Sequence, residues 1–470
     1  MNQFPSQGQT GSASNVPANP LGTLPINQLL ARFAIPSIIA MLVSALYNIV
    51  DQFFIGRSVG MLGNAATNVA FPLTITCTAL SLMFGIGGAA NFNLSMGHGE
   101  REDAARYAGN AVFMLFFTGL ILCLGVRLFL KPLMIAFGAT AEVLDYSLVY
   151  TGITSLGFPF LILTTGGSNL IRADGSPRFS MVCTLTGALI NTILDPLFIF
   201  TFHMGMAGAA LATISSQLFS AILVILCLTR TQDMYKVEWR KIRIDSRMLQ
   251  RIIRIGIPAG MQSVMYNISN IIIQAGVNNL GTDNVTAWAT YGKVDGLYWM
   301  MINALGISVT TFVGQNYGAR RMDRVRKGAG ACMVIGVVLT AIVSTALYFW
   351  GYLFIELFTS DPQVQLISQS LIRFMVPTFI TYITIEILSG TLRGVGDAWM
   401  PLIITGVGVC LVRVIWIIFA LPHFNTILAA AFCYPMTWAL TSAAFAVYYY
   451  FFSSLKSVNL KKIFLRHQYK

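Results

Sequence analysis

Residues 35–51 read IPSIIAMLVSALYNIVD, and residues 257–270 read IPAGMQSVMYNISN. Each sits in an apolar run long enough to cross a bilayer, and together they are the first sign that the chain is written twice. Ile35-Pro36 returns as Ile257-Pro258, and Tyr47-Asn48-Ile49 as Tyr266-Asn267-Ile268. Gly99, Arg101 and Gly109 recur as Gly318, Arg320 and Gly328, and Arg172 with Gly175 recurs as Arg393 with Gly396. The offset stays between 219 and 222.

Apolar spans of about 20 residues predict helices near 29–54, 66–96, 107–129, 143–168, 178–202, 206–229, 255–279, 285–316, 326–350, 363–390, 399–421 and 427–452. Six crossings per copy is an even number, so both copies enter from the same side and are related by an axis along the membrane normal. The expected fold is an all-α membrane protein whose twelve transmembrane helices form two pseudo-symmetric six-helix bundles, 29–229 and 255–452, around a cleft. Residues 1–28 lack Lys, Arg and an apolar core, which predicts a disordered tail rather than a signal peptide. Residues 230–254 form a connecting segment, and 453–470 a basic tail.

Composition agrees with the spans. The 470 residues are 56% hydrophobic and 10% charged, with a mean hydropathy of +0.69, too few charges to clothe a water-soluble surface. The net charge of +12 falls on alternate connections: Arg101 and Arg106, Arg172 and Arg178, the run from Arg230 to Arg254, Arg320 to Lys327, and the C-terminal tail. The opposite connections hold little beyond Arg57, Arg127 and Lys131. By the positive-inside rule both termini and the connecting segment are cytoplasmic, in a plasma or inner membrane, and no nucleic-acid partner is needed to explain the basic excess. Tyr235, Val237 and Trp239 among basic residues suit that connection to membrane lipids. The seven cysteines stand singly in apolar stretches and the four histidines are scattered, so no metal site or cofactor is expected.

No phosphate-binding loop is present, so the energy is expected to come from an ion gradient or from the solute itself. A carboxylate in hydrocarbon is costly enough to mark a functional site. Four acids qualify: Asp51, Asp195, Asp295 and Glu386. Asn191 stands one turn before Asp195 on the same helix face, Pro196 frees a carbonyl about one turn earlier, and Thr213 on helix six offers a hydroxyl. Such a set suits sodium, and it equally suits a proton, because two buried carboxylates repel. In helix seven, Asn267, Asn270, Gln274 and Asn278 form one polar stripe, either a solute-lining face or packing glue. Asp295 and Glu386 are expected to line the cleft, or else to be neutralised within their own bundle; Tyr47, Trp299 and Met300 are candidates for adaptable contact surface.

These residues, in this order, resemble a known family. The first-helix Ile35-Pro36 with Asp51, the fifth-helix Asn191 and Asp195-Pro196-Leu197-Phe198-Ile199, Val313-Gly314-Gln315-Asn316-Tyr317-Gly318-Ala319, and Leu392-Arg393-Gly394 look like the multidrug and toxic compound extrusion family over residues 25 to 455. The resemblance implies two bundles forming a V and antiport of organic, often cationic, compounds against sodium or protons. It also implies an ion or proton site at Asp51, Asn191, Asp195 and Thr213. Helix seven departs from branches that carry an acid there. The chain therefore reads as a bacterial inner-membrane antiporter, a monomer and not an enzyme, exporting small organic solutes, lipophilic cations above all, against H+ or Na+. The alternative is a flippase for a lipid-linked saccharide, which would want a basic cavity.

Overall fold

The computed structural model describes residues 25–230 and 244–455. The N-terminal tail to position 24, positions 231–243 of the connecting segment and the basic tail from position 456 lie outside the described residues. The described chain runs through α1 (Ile26–Ser58), α2 (Met61–His98), α3 (Arg101–Leu128), α4 (Ala141–Ala173), α5 (Pro177–Thr201) and α6 (Gly205–Arg230). It continues through α7 (Ser246–Asn278), α8 (Thr282–Gly318), α9 (Met322–Phe358), α10 (Pro362–Gly394), α11 (Trp399–Phe424) and α12 (Ile427–Phe452). A short helix, Leu130–Ala136, lies between α3 and α4.

Eleven of these helices are long and apolar enough to cross a bilayer. α7 is 33 residues long, but Arg247, Arg251 and Arg254 in its first turns and its amide stripe dilute the apolar character. It also begins nine residues before the expected start at 255, so the connecting segment ends earlier than the sequence suggests. The cause is a cap: the Asp245 carboxylate accepts hydrogen bonds from the backbone N–H groups of Arg247 and Met248. Arg251 then donates to the Tyr107 hydroxyl at 3.0 Å, and the Asp245 N–H to Asn110 Oδ1 at 3.2 Å, which ties the early turns of α7 to α3.

The duplication is visible in the backbone. Positive φ falls at Gly60 and Gly281, and at Gly175 and Gly396, pairs 221 residues apart, where a left-handed turn favours a residue without Cβ. α4 and α10 each contain a 3-10 stretch, Ser155–Gly157 and Val376–Thr381, beside a proline that cannot donate to the helical ladder. The same geometry corrects one pairing. The sequence register sets Gly99 against Gly318, whereas the left-handed turn at Gly99 is matched by that at Arg320, and Gly318 lies against Gly97.

Two large apolar clusters fill the interior. One is built from residues between Leu73 and Ile252; the other draws on residues from Ile273 to Leu455, joined by Phe33 and Ala34. Large apolar side chains such as Phe116, Leu124, Phe219, Ile342 and Phe349 point outward, as expected where lipid replaces water. The halves meet along a seam where α2 packs against α7 and α8. Here backbones touch: Gly256 faces the Met83 carbonyl, Gly87 the Ile252 carbonyl, and Gly318 the Leu94 carbonyl. In hydrocarbon the driving force for helix contact is close packing, which small residues permit. Gln315 crosses the seam, donating to Asn93 Oδ1 at 3.1 Å and to the Ala173 carbonyl at 2.8 Å.

A Cβ added at Gly256 meets backbone that cannot yield, so Gly256→Ala should destabilise the closed seam by about 1–3 kcal/mol. Gly125 has nothing within 4 Å of its ideal Cβ, so Gly125→Ala should stabilise slightly, by about 0.5–1 kcal/mol, through helix propensity. Thermal melting of the purified protein should therefore move in opposite directions for the two variants; a shared direction would contradict the packing account.

Candidate functional site

Two polar sites lie inside the spanning region. The first joins α1 and α5, which pack along their lengths. Asp51 and Asp195 are 7% and 0% exposed and approach within hydrogen-bonding reach of each other. The Asn191 side-chain amide donates to Asp195 Oδ1 at 3.4 Å, a long contact, while Asp51 Oδ1, Asp195 Oδ2 and Asn191 Oδ1 are buried with no hydrogen-bond partner. Among the described residues no ion pair includes either acid. α5 passes into a π-helical turn, Leu197–Thr201, directly after Pro196, a local widening that recurs at functional places. Tyr47 stands within electrostatic reach of both carboxyls, as does Tyr150 on α4, which no sequence signal marked. Thr213 is partly buried on α6; its carbonyl accepts from Ser216 Oγ, and no hydrogen bond of the described residues joins its hydroxyl to the acids.

The second site is a cavity of about 470 Å³ between the halves, lined by α2 and α4 on one side and by α7, α8, α10, α11 and α12 on the other. Its charged lining residues are Asp295, Glu386, Arg393 and Arg413. Asp295 Oδ2 accepts from the Trp299 indole N–H at 2.6 Å. Glu386 accepts from the Tyr382 hydroxyl at 3.1 Å and lies 3.8 Å from Arg393 Nη2. Seven positions on a helix are about 10 Å of rise, a gap that these two long side chains span. Glu386 thus lines the cavity and is paired within its own half. Trp299 packs edge-on to Tyr382 (4.6 Å between centroids) and to Trp438 (5.5 Å), giving the cavity an aromatic wall.

Of the residues expected to line a solute cavity, Asn267, Asn270, Asp295, Trp299 and Glu386 do so. Tyr47, Gln274 and Met300 stand outside its lining. Tyr47 belongs with the carboxyl pair, Gln274 turns its amide to Asn278 Oδ1 at 2.8 Å, and Met300 follows Trp299 by one position, about 100° around the helix. Arg413 also lines the cavity, and a lone arginine in the apolar α11 is a signal visible in the sequence. Asn93, Asn169, Tyr434 and Trp438 also line the cavity and were missed, because amides and aromatics inside membrane helices look like ordinary packing.

The MatE family profile matches residues 36–197 and 258–419, two segments offset by 222 residues at both ends. The chain is 22% identical over 438 residues to a probable multidrug resistance protein, YoeA, of Bacillus subtilis, covering 91% of this chain and 94% of that one. It is 26% identical over 374 residues to the multidrug export protein MepA of Staphylococcus aureus, covering 79% and 80%. Among solved structures, it resembles the outward-facing conformation of a multidrug resistance MATE transporter of the MOP superfamily, with a TM-score of 0.88 at 19% identity, covering 94% of this chain and 99% of that one. A MOP superfamily transporter from Pyrococcus furiosus, described as having a binding pocket of reverse polarity, matches with a TM-score of 0.85 at 19% identity, over 92% and 97%. A profile match in both halves, over most of the chain, on a multi-span helical fold shows that this protein belongs to the MatE family of multidrug transporters: it is a secondary transporter of small molecules, not an enzyme.

Proposed function

We propose that the chain is a twelve-span antiporter in which two six-helix bundles export an organic cation in exchange for protons or sodium captured by Asp51 and Asp195. The observation that carries this reading is the carboxyl pair: two neighbouring acids within electrostatic reach of each other, buried in an apolar bundle, with no basic partner among the described ion pairs. Two adjacent charges in a dry interior are costly, so a bound proton or sodium ion is needed to hold the pair together. The pair is separate from the solute-sized cavity, which suits exchange of two unlike species. α1 supplies a physical link, since it carries Asp51 and packs both on α5 and, across the seam, on α8, which carries Asp295.

Orientation follows from charge. The closed seam ends at His98 and Gly318, beside Arg101 and Arg320. By the positive-inside bias that end is cytoplasmic, together with both termini, so the cavity opens outward, across a bacterial inner membrane. A monomer is sufficient, because both sites are built within one chain. The saccharide flippase is less well supported: it needs net positive charge for a pyrophosphate, and here Asp295 and Glu386 offset Arg393 and Arg413.

Asp195→Asn should leave the protein folded and inserted but abolish gradient-driven export from vesicles, and Asp51→Asn should behave alike. Because the two share one ion, their effects should be non-additive, with the double variant no worse than the worse single. Export at the parental rate in Asp195→Asn would sink the assignment. Asp295→Asn should weaken export of cationic dyes by roughly tenfold or more, the worth of a charged hydrogen bond, while sparing neutral solutes. Equal loss for both solute classes would move Asp295 from recognition to folding.

A further inference from the structure

Arg413 is 3% exposed, yet it lines the cavity from the middle of α11. Its environment fixes the guanidinium without neutralising it. Nε donates to Thr437 Oγ1 at 3.1 Å, and that hydroxyl in turn donates to the Cys433 carbonyl at 2.7 Å. The guanidinium carbon sits 4.0 Å from the centroid of the Tyr434 ring, which holds its plane. Among the described residues no carboxylate lies within ion-pair distance of it. Glu386 is already paired with Arg393. Asp295 is held by Trp299 at one oxygen, with Tyr291 beside it, and neither is a charged partner. Asp295 and Arg413 therefore feel each other's charge across the cavity without touching.

The duplicated fold places Arg413 on α11, the second-half counterpart of α5, which carries Asn191 and Asp195. Like α5 beside Asp195, α11 is widened here, by π-helical turns at Gly406–Leu411 and Trp416–Ala420. One half thus carries a carboxyl pair, and the other a fixed cation facing the solute cavity.

We propose that Arg413 is an anion-recognition point, and that the cavity selects aromatic zwitterions whose carboxylate docks on this guanidinium while their amine faces Asp295. A guanidinium held by Nε and by ring stacking keeps its two terminal nitrogens for a two-point contact with a carboxylate, which a point charge does not reproduce. The aromatic wall of Trp299 and Trp438 takes the ring system of the same solute. The proposal rests on the transporter reading for the solute's passage, and on the cavity alone for its binding.

The test is fluorescence binding of an aminoacridine carboxylic acid and of its methyl ester to the purified full-length protein. The parent should bind the acid more tightly than the ester by roughly tenfold or more, and Arg413→Gln should erase that preference while leaving ester binding near the parental level. Arg413→Lys should keep a smaller preference. In the unmutated protein, benzoate should compete with the acid and not with the ester, a result that does not depend on any variant folding. Equal affinity for acid and ester in the parent, equal weakening of both in Arg413→Gln, or a benzoate effect on neither ligand overturns the proposal. A preserved binding preference with no export of either compound under any gradient would remove the antiport reading and leave the role of Arg413 standing.

Discussion

The interior of a bilayer holds no water to solvate a charge, so every ionised side chain there must be paired, open to an aqueous cavity, or able to shed its charge. Six charged residues of the spanning helices sort themselves along these lines. Arg393 and Glu386 pair with each other. Asp295 and Arg413 face the cavity. Among the described residues Asp51 and Asp195 have neither a basic partner nor a place in the cavity lining, which is why the proposal gives them the capture of a proton or a sodium ion. The functional reading is thus a consequence of where charge is tolerable.

The seam between the halves obeys the complementary constraint on apolar surface. Lipid and protein interior are equally apolar, so helices gain little from hydrophobic burial and must approach closely instead. Glycines at 87, 97, 256 and 318 bring backbones together near one end of α2, α7 and α8. Gln315 satisfies the polar groups that this approach buries, including a main-chain carbonyl of the opposite half.

Much of this was legible in the sequence. Repeated Ile-Pro and Arg-Gly positions revealed the duplication, and an acid in an apolar run needs no structure to be noticed. Asp51, Asp195, Asp295 and Glu386 were singled out for that reason. Asn191 followed from helix spacing. The misses have physical causes. Tyr47 and Met300 were judged by residue type, whereas which face a side chain occupies within a helix buried on several sides is settled by its neighbours. Tyr434 and Trp438 could not be told from packing residues until α12 was seen against α8 and α11. The early start of α7 escaped because basic residues look like a membrane boundary, although Asp245 caps a helix that carries them. The exact register of the repeat needed backbone angles, since Gly97 and Gly99 are equally plausible partners for Gly318 from letters alone.

The central claim is that transport is driven by an ion gradient through one site. The most direct measurement is export of a fluorescent aromatic cation from proteoliposomes holding the purified protein, first under a proton gradient alone and then under a sodium gradient alone. Uphill movement of the cation driven by one gradient, and collapsed when that gradient is dissipated, is the predicted result. Movement that only follows the solute's own gradient, unchanged by either ion, would contradict the account.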